Sequence, residues 1–79
     1  MNVIIHSLAG TLFQDEAEAL TIKTTTGEIT VLDHHRPLVT VLARGEARIT
    51  RKSGEIVRVP VESGFLEVGK NSAIRALVD

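Results

Sequence analysis

Cysteine, tryptophan and tyrosine are absent from this chain. Without cysteine there is no disulfide framework, no thiolate metal site and no sulfur nucleophile, a composition compatible with a cytosolic protein. Phe13 and Phe65 are the only aromatic residues. That is too few for the stacking platforms that single-stranded nucleic acid needs, and it leaves the core to Val, Ile, Leu and Ala. An excess of one charge is missing too. Nine basic and ten acidic side chains give a net charge of −1, which argues against nucleic acid, whose phosphates call for a basic surface. Long apolar runs are also lacking. No segment approaches the roughly 20 apolar residues that span a bilayer. The opening "MNVIIHSLAG" has no basic region and too short an apolar run for a signal peptide. The expectation is a soluble chain that reaches a membrane only through a partner.

What is present is enough for packing. Hydrophobic residues make up 43 % of 79 residues, which fits one domain near the lower size limit for a self-sufficient core. The periodicity is two. In "EIVRVPV", Val57, Val59 and Val61 alternate with Arg58 and Pro60, and in "GEARITRK", Ala47 and Ile49 alternate with Arg48 and Thr50. Such alternation marks half-buried antiparallel strands. "KSG" at 52–54 and "GKNS" at 69–72 read as polar turns.

The map is of strands over 2–6, 11–14, 17–24, 28–32, 38–43, 46–52, 55–61, 64–68 and 73–78. Turn signals fall about every 8 to 12 residues, the pattern of an all-β fold. The fold class expected is a flattened β-sandwich or barrel of about nine or ten short, mostly antiparallel strands. Three local expectations follow. The phase shift in "EAEALTIKTTT" calls for a bulge near residues 19–20. "PLVTVLA" is apolar on both phases, as in a strand covered on both faces. Pro60, unable to donate to a ladder, belongs on an edge strand.

The stretch that looks chemical is "TVLDHHRPLVTVL", with Asp33, His34, His35 and Arg36 side by side. Zinc needs three or four converging ligands. On a strand, His34 and His35 point to opposite faces; Asp33 and His35 share one, and His6 is the only other histidine that could join. Asp33 with His35 is also a possible acid–base dyad, but that requires a pocket and a shifted pKa. Ser7, Ser53, Ser63 and Ser72 show no nucleophile elbow, and the glycines are spread singly at turns rather than in a phosphate loop. A solvated polar turn or an interaction loop accounts for the stretch more simply. No catalytic residue, metal or cofactor is assigned.

The order of these segments resembles the N-terminal β-sandwich domain of the epsilon subunit of F-type ATP synthases (delta in mitochondria). That family's Gly-Glu-x-Gly-x-Leu-Pro-Gly-His-x-Pro-Leu run is similar to "GEITVLDHHRPL", with Gly27, Glu28, Leu32, His35, Pro37 and Leu38 in register, and Gly45 falls at the following turn. Its Ser-Gly-Gly-Phe-x-Glu-Val motif resembles "ESGFLEV" through Gly64, Phe65, Glu67 and Val68. "NSAIRALVD" looks like its third motif, an Asn followed by a strand ending Leu-Ala-Asp, and "GTLFQDEAEAL" like its N-terminal Phe-containing stretch. The departures are Asp33, His34 and Arg36 in the Pro-Gly-His-Ala turn, Ser63 for the first glycine of Gly-Gly-Phe, and Val78 for an alanine.

The resemblance implies a non-catalytic central-stalk subunit that couples the gamma shaft to the membrane ring during ion-driven ATP synthesis. It implies a peripheral position at the cytoplasmic face of the membrane. It also implies that the loops holding Glu28 and His35 lie together at one end of the sandwich, as contacts to gamma and ring subunits, with Asp33, His34 and Arg36 beside them. Phe65 and Leu66 read as core, or as part of an uncovered face that docks on the shaft. Many relatives continue into a C-terminal helical hairpin that carries inhibition and nucleotide binding; with the sequence ending at Asp79, neither property is carried over. Spare apolar surface on a small sandwich, a valine-rich face above all, leaves a homodimer of the isolated domain open. The alternative is a free-standing β-sandwich adaptor or ligand-binding module that shares the fold but has left the complex.

Overall fold

The computed structural model describes residues 1–79. Its elements are β1 (Asn2–Ser7), β2 (Gly10–Glu16), β3 (Ala19–Thr24), β4 (Gly27–Leu32), β5 (Leu38–Leu42), β6 (Gly45–Thr50), β7 (Ile56–Val61), β8 (Gly64–Val68), a 3₁₀ turn (Lys70–Ser72) and β9 (Ala73–Val78). Two layers form. One has the order β2-β1-β9-β8-β5, the other β4-β3-β6-β7, and the single partner pair Thr24↔Leu42 joins β3 to β5 at the seam. All pairs are antiparallel except β1 with β9. This is the mostly antiparallel sandwich expected from the period-two pattern.

The alternation supplies the core. Ile5, Leu20, Ile22, Ile49 and Leu66 are the largest fully buried side chains, each contributing about 1.5–3 kcal/mol over its exposed state. On one open side of the sandwich, Arg51 acts as a clasp. Its guanidinium lies 5.2 Å from the centre of the Phe13 ring and pairs with Asp15 and, at 3.2 Å, with Glu55.

Two expectations need correcting. The phase shift after "EAEA" is not a bulge. β2 ends at Glu16, and Ala17 and Glu18 form the crossing to the other layer, where the Ala17 N–H donates to the Met1 carbonyl (2.9 Å) and the Glu18 N–H to that of Thr50 (2.8 Å). A change of partner strand resets the phase as a bulge does; the bulge itself sits between Ile5 and His6 in the β1–β2 pair. The second correction concerns β5. Val39 is 71 % and Val41 46 % exposed, because nothing covers the outer face of that layer. Pro60 lies on β7, the edge of its layer, opposite Glu46.

Strand directions sort the connections into two ends. Met1, the 17–18 crossing and the 33–37, 51–55 and 69–72 loops lie at one end; the 8–9, 25–26, 43–44 and 62–63 loops lie at the other.

Candidate functional site

β4 stops at Leu32 because the chain turns sharply. The His35 N–H donates to the Leu32 carbonyl at 3.2 Å, and His34 adopts φ 66°. That left-handed conformation costs an L-residue about 1–2 kcal/mol, although histidine tolerates it better than most. The resembling family has glycine at this place in its turn. His34→Gly is therefore expected to raise stability by roughly 0.5–1 kcal/mol, the strain relieved less the extra freedom glycine has when unfolded. Urea denaturation of the two proteins would show it, and a loss of stability would refute the strain argument.

The loop rests on the 3₁₀ turn. The His34 N–H points at Ser72 Oγ (3.4 Å), and Asn71 and Ser72 also have positive φ, 60° and 57°. The His35 ring Nδ1 donates to the Arg36 carbonyl at 2.7 Å. Asp33 is committed to the chain's own nitrogen: its Oδ1 is 2.9 Å from the Met1 ammonium, which also donates to the Ala17 carbonyl (3.0 Å) and lies 3.5 Å from Glu16 Oε2. Turning at His34 breaks the strand geometry that would have set Asp33 beside His35. His6 stands near the far end of β1 from Met1, about 16 Å away by strand rise. Nowhere do three His, Asp or Glu side chains converge on a point that would hold a metal ion.

The hydrogen bond from Asp33 raises the Met1 ammonium above its ordinary value of 8.0, against some desolvation, and the same bond holds the Asp33 carboxyl below the usual carboxylate range. The raised amine stabilises the fold fully below pH 8 and loses that contribution as pH rises through its folded value. The lowered carboxyl contributes above its ordinary range near pH 4 and loses its share as pH falls through the depressed value. Asp33→Asn should therefore lower the thermal midpoint between about pH 5 and 8, with the gap closing at both extremes. A pH-independent gap would show that the ion pair is not its source.

Glu28 lies elsewhere. Its carboxylate accepts from Arg48 Nη2 at 3.3 Å on the outer face of the β4-β3-β6-β7 layer, which also carries the Glu46–Arg58 pair (3.0 Å) and the Thr21–Thr30 hydroxyl pair (2.9 Å). It stands at the start of β4 and Asp33 just past its end, about 16 Å apart at strand rise. The expectation that Glu28 and His35 share one end of the sandwich is thus corrected: a whole strand separates them.

The sequence left Phe65 and Leu66 open between core and an uncovered face, and the structure decides between the two. On the outer face of the β2-β1-β9-β8-β5 layer, strand register lines up His6, Leu77, Phe65 and Val41 in one row. Ile4, Arg75, Glu67 and Val39 form the next. Phe65 is 58 % and Leu77 48 % exposed. Leu8, fully exposed, joins them around a shallow depression that also includes Ser63 and Gly64. Of the two neighbours read as core, only Leu66 is buried. The signal was present in "PLVTVLA" and in the Phe65-Leu66 pair, both apolar on two phases.

Residues 1–77 match the family described as "ATP synthase, Delta/Epsilon chain, beta-sandwich domain". The chain is 42 % identical over 59 residues to the ATP synthase epsilon chain of Shouchella clausii, covering 75 % of this chain and 44 % of that one. It is 35 % identical over all 79 residues to the epsilon chain of a Synechococcus species, of which it covers 56 %. The chain thus spans about half the length of these curated relatives. A chain of the Euglena gracilis mitochondrial ATP synthase, solved with its c-ring, superposes over 96 % of this chain and 48 % of its own length with a TM-score of 0.90 at 23 % identity, a likeness of fold.

Proposed function

The chain belongs to the ATP synthase delta/epsilon-chain β-sandwich family, and on that premise we propose that it is a non-catalytic rotor element that clamps the gamma shaft to the membrane ring. The observation that carries this reading is the uncovered apolar face built by Val39, Val41, Phe65 and Leu77. A contiguous apolar patch on a small soluble-type domain marks a binding surface. Its flat, strand-backed shape suits a rigid partner better than a small ligand, and a stiff coupling element is what torque transfer needs.

The gamma shaft takes the apolar face. The exposed His34, Arg36 and partly exposed His35 extend the contact at one end, with Asp33 fixing the loop that presents them. Glu28 contributes at the other end, next to Arg48, so the two ends of β4 address different parts of the assembly. Complementary charge at such rims sets register more than affinity. Catalysis of ATP synthesis and ion movement then belong to other subunits. The chain acts as a peripheral component on the cytoplasmic side; no helix in it is long and apolar enough to cross a membrane. Away from its partner, the same face is where two copies would meet as a homodimer.

The test is direct binding. The chain mixed with purified gamma subunit, alone and with the ring, is expected to elute as a complex. A chain that stays free of both overturns the rotor reading and favours an independent adaptor.

A further inference from the structure

The outer face of the β2-β1-β9-β8-β5 layer is not apolar throughout, and its charges are unmatched. Three shallow depressions there share walls: Glu67 and Arg75 belong to the first two, Phe65 and Leu77 to the last two. They make one furrow along β8 and β9, about 17 Å long at strand rise. Leu8 and Ser63 stand at one end of it and Lys70 at the other. Phe65 pairs in register with Leu77, which sets Arg75 diagonally across from it. Such diagonal neighbours are about 7–8 Å apart.

None of the chain's ion pairs uses Lys70, Arg75 or Glu67. The other layer differs: on its outer face Arg48 is matched by Glu28 at 3.3 Å and Arg58 by Glu46 at 3.0 Å. In the furrow Glu67 faces Arg75 across the strands without closing a pair, and Lys70 is a further cation with no acid of its own. At the far end the Asp79 carboxylate is occupied, accepting from the Ser63 N–H (3.0 Å) and hydroxyl (2.8 Å). A partner that covers Phe65 also takes water from Arg75 and Lys70, and a desolvated cation without a counter-charge is costly.

We infer that the partner seated on this face carries a carboxylate beside its apolar contact, and that this carboxylate meets Arg75 and Lys70. The inference rests on the rotor reading and narrows it: the gamma surface presents an acidic side chain about 7–8 Å from the group that covers Phe65. Glu67 repels that acid and so works against affinity. A second copy of the chain fits less well, because it brings only its own Glu67 and leaves a cation over on each side.

The experiment measures binding of purified gamma subunit to the parent chain, to Glu67→Gln, and to Lys70→Glu combined with Arg75→Glu. All three side chains are exposed, so both variants are expected to stay folded, with melts close to the parent's. At about 0.1 M salt the double reversal should weaken binding on the order of thirtyfold, and the gap should narrow severalfold at about 1 M, where charges are screened within about 3 Å. Glu67→Gln should tighten binding about threefold at the lower salt. A parent that binds gamma while both variants bind equally well overturns the inference and leaves the rotor reading standing. A parent that binds no gamma overturns both. Weaker binding by Glu67→Gln also overturns the inference, because the face would then be meeting a cation. So does a double reversal that breaks only a dimer of the chain and leaves its gamma complex unchanged.

Discussion

Replacing Gly64 with alanine is expected to remove most of the stability of the domain. Gly64 opens β8 opposite Val78 of β9 with φ 150°. A Cβ built there would lie 2.1 Å from the Leu77 carbonyl oxygen, 3.0 Å from Val78 Cα and 3.1 Å from the Leu77 carbonyl carbon. All three are backbone atoms, so no side chain can swing away to make room. The β8–β9 pairing must open at this end, or the strand must shift. Backbone strain alone accounts for about 1–3 kcal/mol, and the lost pairing brings the total into the rare class above about 4 kcal/mol. A domain of this size has a stability of roughly 4–12 kcal/mol in all. The expected result is a chain that is largely unfolded at 25 °C or melts far below the parent, read by far-UV circular dichroism and urea titration. Gly54→Ala is the control. Gly54 also has positive φ, 92°, but nothing lies within 4 Å of its added Cβ, so its cost is limited to the local strain of about 1–2 kcal/mol. Equal effects at the two glycines would refute the steric account.

The second large effect separates folding from binding. Phe65→Asp is expected to leave the fold nearly intact, within about 0.5 kcal/mol as for most surface changes, because Phe65 is 58 % exposed. Binding to gamma should fall by roughly a hundredfold or more. Aromatic anchors at the centre of an interface contribute about 2–4 kcal/mol, and a carboxylate left unpaired beneath a partner adds a desolvation cost. Each 1.4 kcal/mol is about a tenfold change in affinity. The substitution should also abolish any dimer formed by the isolated chain. Leu66→Asp, one residue along, should do the reverse and unfold the domain, since Leu66 is fully buried. Unchanged gamma affinity in a folded Phe65→Asp protein would remove this face from the interface.

That adjacent residues should behave so differently shows where the sequence stops being informative. "GFLEV" announces a strand and its alternation separates Phe65 and Glu67 from Leu66 and Val68, but alternation does not say which phase meets a covering layer. In "EIVRVPV" the polar phase identifies the wet side by itself. In "PLVTVLA" both phases are apolar, and the reading of a doubly covered strand was wrong because no element lies over Val39 and Val41. The same ambiguity left Phe65 readable either as core or as part of an uncovered face.

The loop at 33–36 taught a different lesson. Its motif register located His35 and Pro37, and its charged residues drew attention. Yet Asp33, the best ligand in appearance, is paired with an amine 32 positions earlier in the chain, as their numbers show. No spacing rule reaches that far. Glu28, grouped with it through a shared motif, lies a strand's length away because β4 runs straight between them.

The sequence by itself determined the all-β class, the places of the strands and the edge position of Pro60, because side-chain periodicity and turn chemistry are local and act before any tertiary contact forms; the family came from the resemblance of three motifs in order. Only the tertiary structure decided that β5 and β8 leave an apolar face in the open, that Glu28 and the 33–36 loop lie at opposite ends, and that Asp33 pairs with the Met1 nitrogen. Each of those depends on how strands from distant parts of the chain are brought together, and a two-residue period carries no record of which layer, if any, will lie on top.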